Sequence, residues 1–207
     1  MPSRRAPKAP PRAYHHGDLR SALIQGALDL LRDEGPAALT LRGVARAAGV
    51  SQAAPYRHFA DRRALVAAVA EEGFRMLQTA MLEGAQKAEG RLGFKQIAIA
   101  YVQFGHEHPA EYRIMFGPEV ARHDELPDLR ETSSAVLGFV QVGIARLQAA
   151  GLIGAGDPAA MAATTWSMLH GLVMLSLDGQ TAGVGLTLGQ LVDETTRIIM
   201  FGLAART

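Results

Sequence analysis

Apolar residues recur at three- and four-residue intervals along most of the chain, the repeat of amphipathic α-helices. Leu19, Leu23, Ala27, Leu30 and Leu31 predict a first helix over residues 18–34, stopped by Gly35-Pro36. Thr40 stands as the N-cap of a short second helix, 41–48, with Leu41, Val44, Ala45 and Ala48 on its buried face and Gly49 as its stop. Ser51 is placed to cap a third short helix, 52–58, and Asp61 a fourth that runs to near Glu89. Later helices are predicted over 90–107, 109–116, 126–150, 157–178 and 187–205. The prediction is an all-α chain of about nine helices. Prolines agree with it, since none occurs between Tyr56 and His108 or after Pro158. No run alternates apolar with polar residues in the manner of a strand.

Composition refines this picture in two places. The 207 residues contain no cysteine, which excludes disulfides, thiolate metal sites and cysteine nucleophiles and suits a reducing cytoplasm. The formal net charge of +1 hides a division. Residues 1–63 hold eleven Lys/Arg against five Asp/Glu, a balance of +6, and the remainder balances at −5. A basic segment joined to a larger acidic one points to a polyanion-binding module with a second domain. Four of the ten prolines fall in the first eleven residues, so residues 1–13 read as a mobile basic arm. The chain then divides into a basic domain over 14–63 and a larger, acidic one over 64–207.

Within the basic segment, two short helices joined by Ala48-Gly49-Val50-Ser51 have the pattern of a helix-turn-helix. Glycine suits the tight reversal, and Val50 fills the angle between the helices. The same corner occurs in many helical proteins; the residues beyond it are more specific. Tyr56-Arg57-His58-Phe59 groups a phenol, a guanidinium and an imidazole, and Asp61-Arg62-Arg63 follows. The run from Thr40 through Ser51, resuming at Tyr56, resembles the TetR/AcrR family of bacterial transcriptional regulators. The upstream Tyr14-His15-His16-Gly17-Asp18-Leu19-Arg20 looks like the lead-in that many members carry.

The resemblance implies that 14–63 is a DNA-binding domain and 64–207 a ligand-binding and dimerisation domain, and it implies roles by position. Ser51, Gln52, Ala53 and Ala54 open the recognition helix, where a glutamine can pair with adenine and an alanine can touch a thymine methyl. Thr40, Arg42, Tyr56, Arg57 and His58 match positions on the DNA side, most of them holding phosphate. Arg62 stands where the family commonly has a lysine, and Arg63 adds a second charge beside it. Each arginine also reads simply as a solvated surface charge. Pro55 is the awkward residue, removing an amide early in a short helix.

Trp166-Ser167-Met168-Leu169-His170-Gly171, with His108 to Arg113 and Phe116-Gly117, is similar to a Trp-His-Gly subgroup of family C-terminal domains. The apolar candidates for an effector pocket are Phe94, Ile97, Tyr101, Phe104, Met115, Phe116, Trp166, His170 and Met174, each of which also reads as plain core. Leu169, Leu172, Val173 and Ser176, with Leu191, Ile198, Ile199 and Phe201, supply candidate faces for a homodimer. Two-fold symmetry would set the recognition helices about 34–36 Å apart, or a multiple of that, on a double-stranded, near-palindromic operator. No cofactor is implied, and repression and activation are both open.

Rival readings are weaker. His106, Glu107, His108, Glu111 and His123 are the candidate metal or catalytic cluster, but residues two apart on a helix face different ways. No Gly-x-Ser-x-Gly or His-Glu-x-x-His motif occurs, so an enzyme is not expected. A nucleic-acid packaging protein would have no need of a large apolar second half. Residues 158–177 carry no Asp, Glu, Lys or Arg, long enough to cross a membrane. Their small polar groups, and nearest cations as distant as Arg146 and Arg197, favour a helix buried in protein.

Overall fold

The computed structural model describes residues 19–121 and 125–202. The basic arm, the lead-in at 14–18, His123 and the last residues of the final predicted helix lie outside the described residues. Eight α-helices are present and no strand occurs among the described residues: α1 (Leu19–Glu34), α2 (Leu41–Ala47), α3 (Arg62–Ala85), α4 (Gly90–Glu107), α5 (Pro109–Met115), α6 (Pro127–Ala149), α7 (Pro158–Leu177) and α8 (Leu188–Gly202). Several predicted end residues serve as caps outside the helices, among them Ala48, Phe116, Leu126, Ala150, Asp157 and Asp178.

The helix predicted at 52–58 is absent as an α-helix. Residues Pro55–Arg57 form a single 3-10 turn, entered through turn residues from Ser51. Successive i to i+3 bonds carry it: the Ala54 amide donates to the Ser51 carbonyl at 3.0 Å, and the Arg57 amide to Ala54 at 3.2 Å. Pro55 has no amide to give, so an α-helical ladder cannot start one residue earlier. This accounts for the count of eight where about nine were predicted.

The corner before it closes by local chemistry. Thr40 Oγ1 accepts from the Gly43 amide at 3.0 Å and starts α2. At the other end Gly49 has φ +68°, the Val50 amide donates to the Ala45 carbonyl at 3.0 Å, and the Gly49 amide to Arg46 at 3.2 Å. These two bonds are a Schellman cap, which satisfies carbonyls that the helix end would leave bare.

α3 then starts on Asp61, whose carboxylate accepts from the Ala64 amide at 2.8 Å, and runs 24 residues. It ends at Ala85, short of Glu89, where α4 crosses closely. A Cβ on Gly84 would lie 2.9 Å from the Gln96 carbonyl oxygen, so only glycine permits this approach. α3 packs on α1 at one end and on α4, α5 and α6 further along. Leu23, Leu28, Leu31, Leu65 and Leu77, all under 2% exposed, join the core that it threads. Burying each contributes roughly 2 kcal/mol.

Two arginines of α1 reach across this junction. Arg32 Nε donates to Glu111 Oε1 of α5 at 2.5 Å, and Arg20 lies 3.8 Å from Glu71 of α3. Glu111 is only 1% exposed, and Arg32 is its close ion-pair partner.

α7 departs from expectation. Its buried residues are Ala162, Thr165, Leu169 and Val173, a single stripe, and the face opposite is open. It is, among the described residues, the one helix long and apolar enough to cross a membrane by length and composition. Of the residues predicted to face a second copy, Leu169, Val173 and Ile199 are buried in the protomer's own core. Ile198 is exposed, together with Leu175, Val184 and Leu186, which the sequence pattern did not single out. The side chain of Phe201 lies outside the described residues.

Candidate nucleic-acid interface and ligand cavity

The helix-turn-helix segment turns its polar groups outward from a small apolar base. Phe59 is 2% exposed and Pro55 is buried, and these two anchor the 3-10 turn to the core. Thr40, Arg42, Ser51, Gln52, Ala53, Tyr56, Arg57 and His58 are exposed, and Ala54 is half-buried between them. Tyr56 keeps 54% of its surface open, an unusual state for a phenol in a protein that touches nothing through it. The set combines hydroxyl, amide, methyl, guanidinium and imidazole groups along one short stretch. That is the repertoire by which phosphates are held and base edges read.

The two cations behind this stretch are engaged. The Arg62 guanidinium donates to the Pro36 carbonyl at 3.0 Å and forms an ion pair with Glu119, with Oε1 at 3.2 Å from Nη2. Arg63 pairs with Glu125 at 2.7 Å. Both acids belong to the connection between α5 and α6. The family pattern spoke of phosphate for these positions and gave no sign of carboxylate partners more than fifty residues away.

The bundle of α3, α4, α6 and α7 forms a cavity of about 210 Å³, whose lining includes the exposed Ser134 and Trp166. Of the nine pocket candidates, Phe94, Ile97, Tyr101, Phe116 and Trp166 line it. The other four do not. Met115 is fully buried, packed where Gly73 leaves α3 without a side chain. Phe104 is also buried, and its ring lies 4.9 Å from that of His108. Met174 packs half-buried on the core. His170 sits behind the wall, where its Nδ1 is hydrogen-bonded to the Tyr112 hydroxyl at 2.7 Å.

Further lining comes from Phe74, Leu77 and Met81 of α3, from Ser133, Ser134, Val136, Leu137 and Val140 of α6, and from Thr165 and Leu169 of α7. Periodicity cannot separate such residues from core, because both lie on the inward face. Ser133 and Ser134 sit on α6 beside Arg130, Glu131 and Thr132, so their hydroxyls gave no separate signal.

A hydrogen-bonded chain stiffens one wall. Trp166 Nε1 donates to the Tyr101 hydroxyl at 3.0 Å, and Tyr101 and Tyr112 share a bond of 2.7 Å. With His170 this joins α7, α4 and α5. Burial raises the pKa of both phenols above the ordinary tyrosine value and lowers that of His170, so the whole chain is neutral at pH 7. Among the described residues no charged side chain lines the cavity.

In the candidate metal cluster His108 Nδ1 lies 3.9 Å from Glu111 Oε1, but His106, His108 and Glu111 each have other neighbours. His106 Nε2 bonds the Ser176 hydroxyl at 2.8 Å, His108 lies against Phe104, and Glu111 is held by Arg32. Among the described residues no group of three His, Asp or Glu could hold a metal ion.

A helix-turn-helix carried on a helical bundle with an apolar cavity is the build of a two-part DNA-binding regulator. Comparison with known proteins gives the lineage. A family model described as bacterial regulatory proteins, tetR family, matches residues 23–69, and one described as tetracyclin repressor-like, C-terminal domain, matches 94–199. The uncharacterized HTH-type transcriptional regulator Rv0681 of Mycobacterium tuberculosis is 30% identical over 165 residues, covering 77% of this chain and 71% of that protein. The class C tetracycline repressor of Escherichia coli is 50% identical over 52 residues, 25% of this chain and 24% of that one. The solved structure of a protein of unknown function from Rhodococcus sp. RHA1 superposes with a TM-score of 0.80 at 34% identity, covering 93% of this chain and 99% of that one. Two of the three curated relatives are spanned over less than two thirds of their length, 58% and 24%. The chain belongs to the TetR family of bacterial transcriptional regulators. Members of this family are DNA-binding regulators and not enzymes; they bind operator DNA and act as dimers.

Proposed function

We propose that this chain is a dimeric repressor, released from a palindromic operator by a small-molecule effector that enters the cavity of the bundle. The observation that carries this reading is the pairing of an exposed polar turn at 51–58 with a separate, uncharged cavity in the same chain. Gln52, Ala53 and Ala54 read bases, while Thr40, Arg42, Ser51, Tyr56, Arg57 and His58 hold the backbone on either side. Arg62 and Arg63 join them on DNA, where phosphates compete with Glu119 and Glu125 for the same guanidinium groups. The functional division runs at 14–63 and 64–207, with residues 1–13 as a basic arm on the DNA side, and the protein works in the cytoplasm.

The open face of α7, continued by Leu175, Val184, Leu186 and Ile198, is the surface that a second copy covers. Membership of the second domain in the Trp-His-Gly subgroup is supported by Trp166 and His170, whose ring centroids lie 5.7 Å apart with both against Phe116. An effector acts through its differential affinity for two spacings of the recognition segments.

Footprinting on the chain's own promoter region, with mass measurement of the complex in solution, tests the assignment. The expected result is a two-fold symmetric footprint occupied by an even number of chains. A single chain on an asymmetric footprint would exclude the dimer and the palindrome together.

A further inference from the structure

The cavity walls narrow the chemistry of what enters them, on the reading just given that an effector does. We propose that the effector is an uncharged, compact aromatic molecule with one hydroxyl, bonded by Thr165. Three observations converge on it.

The first is charge. An isolated carboxylate or phosphate moved into a lining without a cation would lose its hydration with nothing in exchange, so anionic ligands are rejected. The second is size and shape. A cavity of about 150 Å³ is known to take benzene, so 210 Å³ accommodates one substituted ring or a compact bicycle. Aromatic edges and faces already surround the space. Phe74 meets Phe116 edge-on at 5.3 Å, and Phe116 lies 6.1 Å from Trp166, an arrangement into which another ring fits.

The third observation is Thr165 itself. It is 3% exposed, it lines the cavity, and its hydroxyl bonds to no described residue. Its neighbours on α7 behave differently: Thr164 donates to the Ala160 carbonyl at 2.9 Å and Ser167 to Ala163 at 2.8 Å. A hydroxyl that forgoes the carbonyl one turn back and keeps its oxygen accessible in the cavity is open to a bond with whatever fills it. The remaining wall hydroxyl of this depth, that of Tyr101, is already engaged by Trp166 and Tyr112.

Three probes on one framework test the proposal: 4-propylphenol, propylbenzene and 4-propylbenzoate. Trp166, the chain's one tryptophan, reports binding through its fluorescence, and the shift in thermal midpoint provides a second readout. The phenol should bind saturably, the hydrocarbon more weakly, and the benzoate not measurably. Thr165→Val, which keeps the shape, should weaken the phenol about tenfold and the hydrocarbon less than twofold, the loss of one buried hydrogen bond. Thr165→Ser should restore most of the difference. Equal binding of the benzoate and the phenol, an equal loss on phenol and hydrocarbon in Thr165→Val, or no binding of any probe would overturn the proposal. Promoter binding by the unliganded protein is measured alongside. If it fails while the probes bind as described, the operator reading falls and the ligand class stands.

Discussion

The exposed polar turn at 51–58 and the cavity bundle of this regulator meet opposite physical demands. Between Thr40 and Asp61 the chain holds itself in shape with local devices, a threonine cap, a Schellman closure at Gly49 and an aspartate cap, so the side chains of Gln52, Tyr56, Arg57 and His58 stay exposed. The bundle is defined by contacts between distant segments, and its polar groups are mostly spent on one another, as in the Trp166–Tyr101–Tyr112–His170 chain. The turn exposes chemistry on a cheap scaffold. The bundle hides a space behind an expensive one. A regulator needs both, and needs them joined firmly enough that a change in one reaches the other.

The joint is where the largest effect is expected. Arg32 of α1 is the close partner of the buried Glu111 of α5. Arg32→Ala should lower unfolding stability by about 2–3 kcal/mol, since a buried carboxylate loses a charged hydrogen-bond donor. Chemical denaturation measures it; an unchanged midpoint would show that the two regions do not lean on this pair.

Within the turn, Gly49→Ala forces a side chain into the left-handed region and should cost about 1–2 kcal/mol. The cavity should be spared, so probe binding by the folded variant would be unchanged while DNA affinity falls.

The bundle carries a pH signature of its own. Burial lowers the His170 pKa, so at low pH the unfolded chain binds the proton that the folded chain resists. Stability from this group is complete above about pH 6.5, the ordinary histidine value, and is lost as pH falls below it. Thermal midpoints of the parent and of His170→Asn, measured between pH 7.5 and 5, should diverge at the acid end of the parent's curve, where only the parent loses this contribution.

The smallest effect tests the crossing between regions. Glu119→Gln releases Arg62 for DNA. Both side chains are about 40% exposed, so the pair contributes only a few tenths of a kcal/mol, and DNA affinity should rise by less than threefold. A fall in affinity would mean that Glu119 positions Arg62 and does not compete for it.

The same contrast explains how far the sequence could be read. Thr40, Gly49 and Asp61 were legible because a cap and a left-handed corner are written in the residues that make them. Pro55 was visible as a difficulty, but its outcome, a 3-10 turn in place of a helix, depended on how the neighbouring amides shared the remaining carbonyls. Phe94, Ile97, Tyr101, Phe116 and Trp166 could be proposed from composition, yet Phe74, Leu77 and Met81 look identical to the core leucines beside them on α3. What distinguishes them is the position of α6 and α7, and no local pattern encodes which helix faces which. The open side of α7 was missed for the same reason: its apolar residues resemble a buried helix until the neighbours are placed.

The claim on which the whole account rests is that the turn at 51–58 reads DNA sequence. Titration of the protein against its own promoter fragment and a random duplex of equal length, at physiological salt and without effector, tests it most directly when Gln52→Ala is run alongside. The account predicts that the parent prefers the promoter by about a thousandfold or more. It also predicts that Gln52→Ala loses about 1–3 kcal/mol of discrimination at particular base pairs while its affinity for random DNA is unchanged. Equal affinity of the parent for both fragments, or a uniform loss on both in the variant, would contradict it.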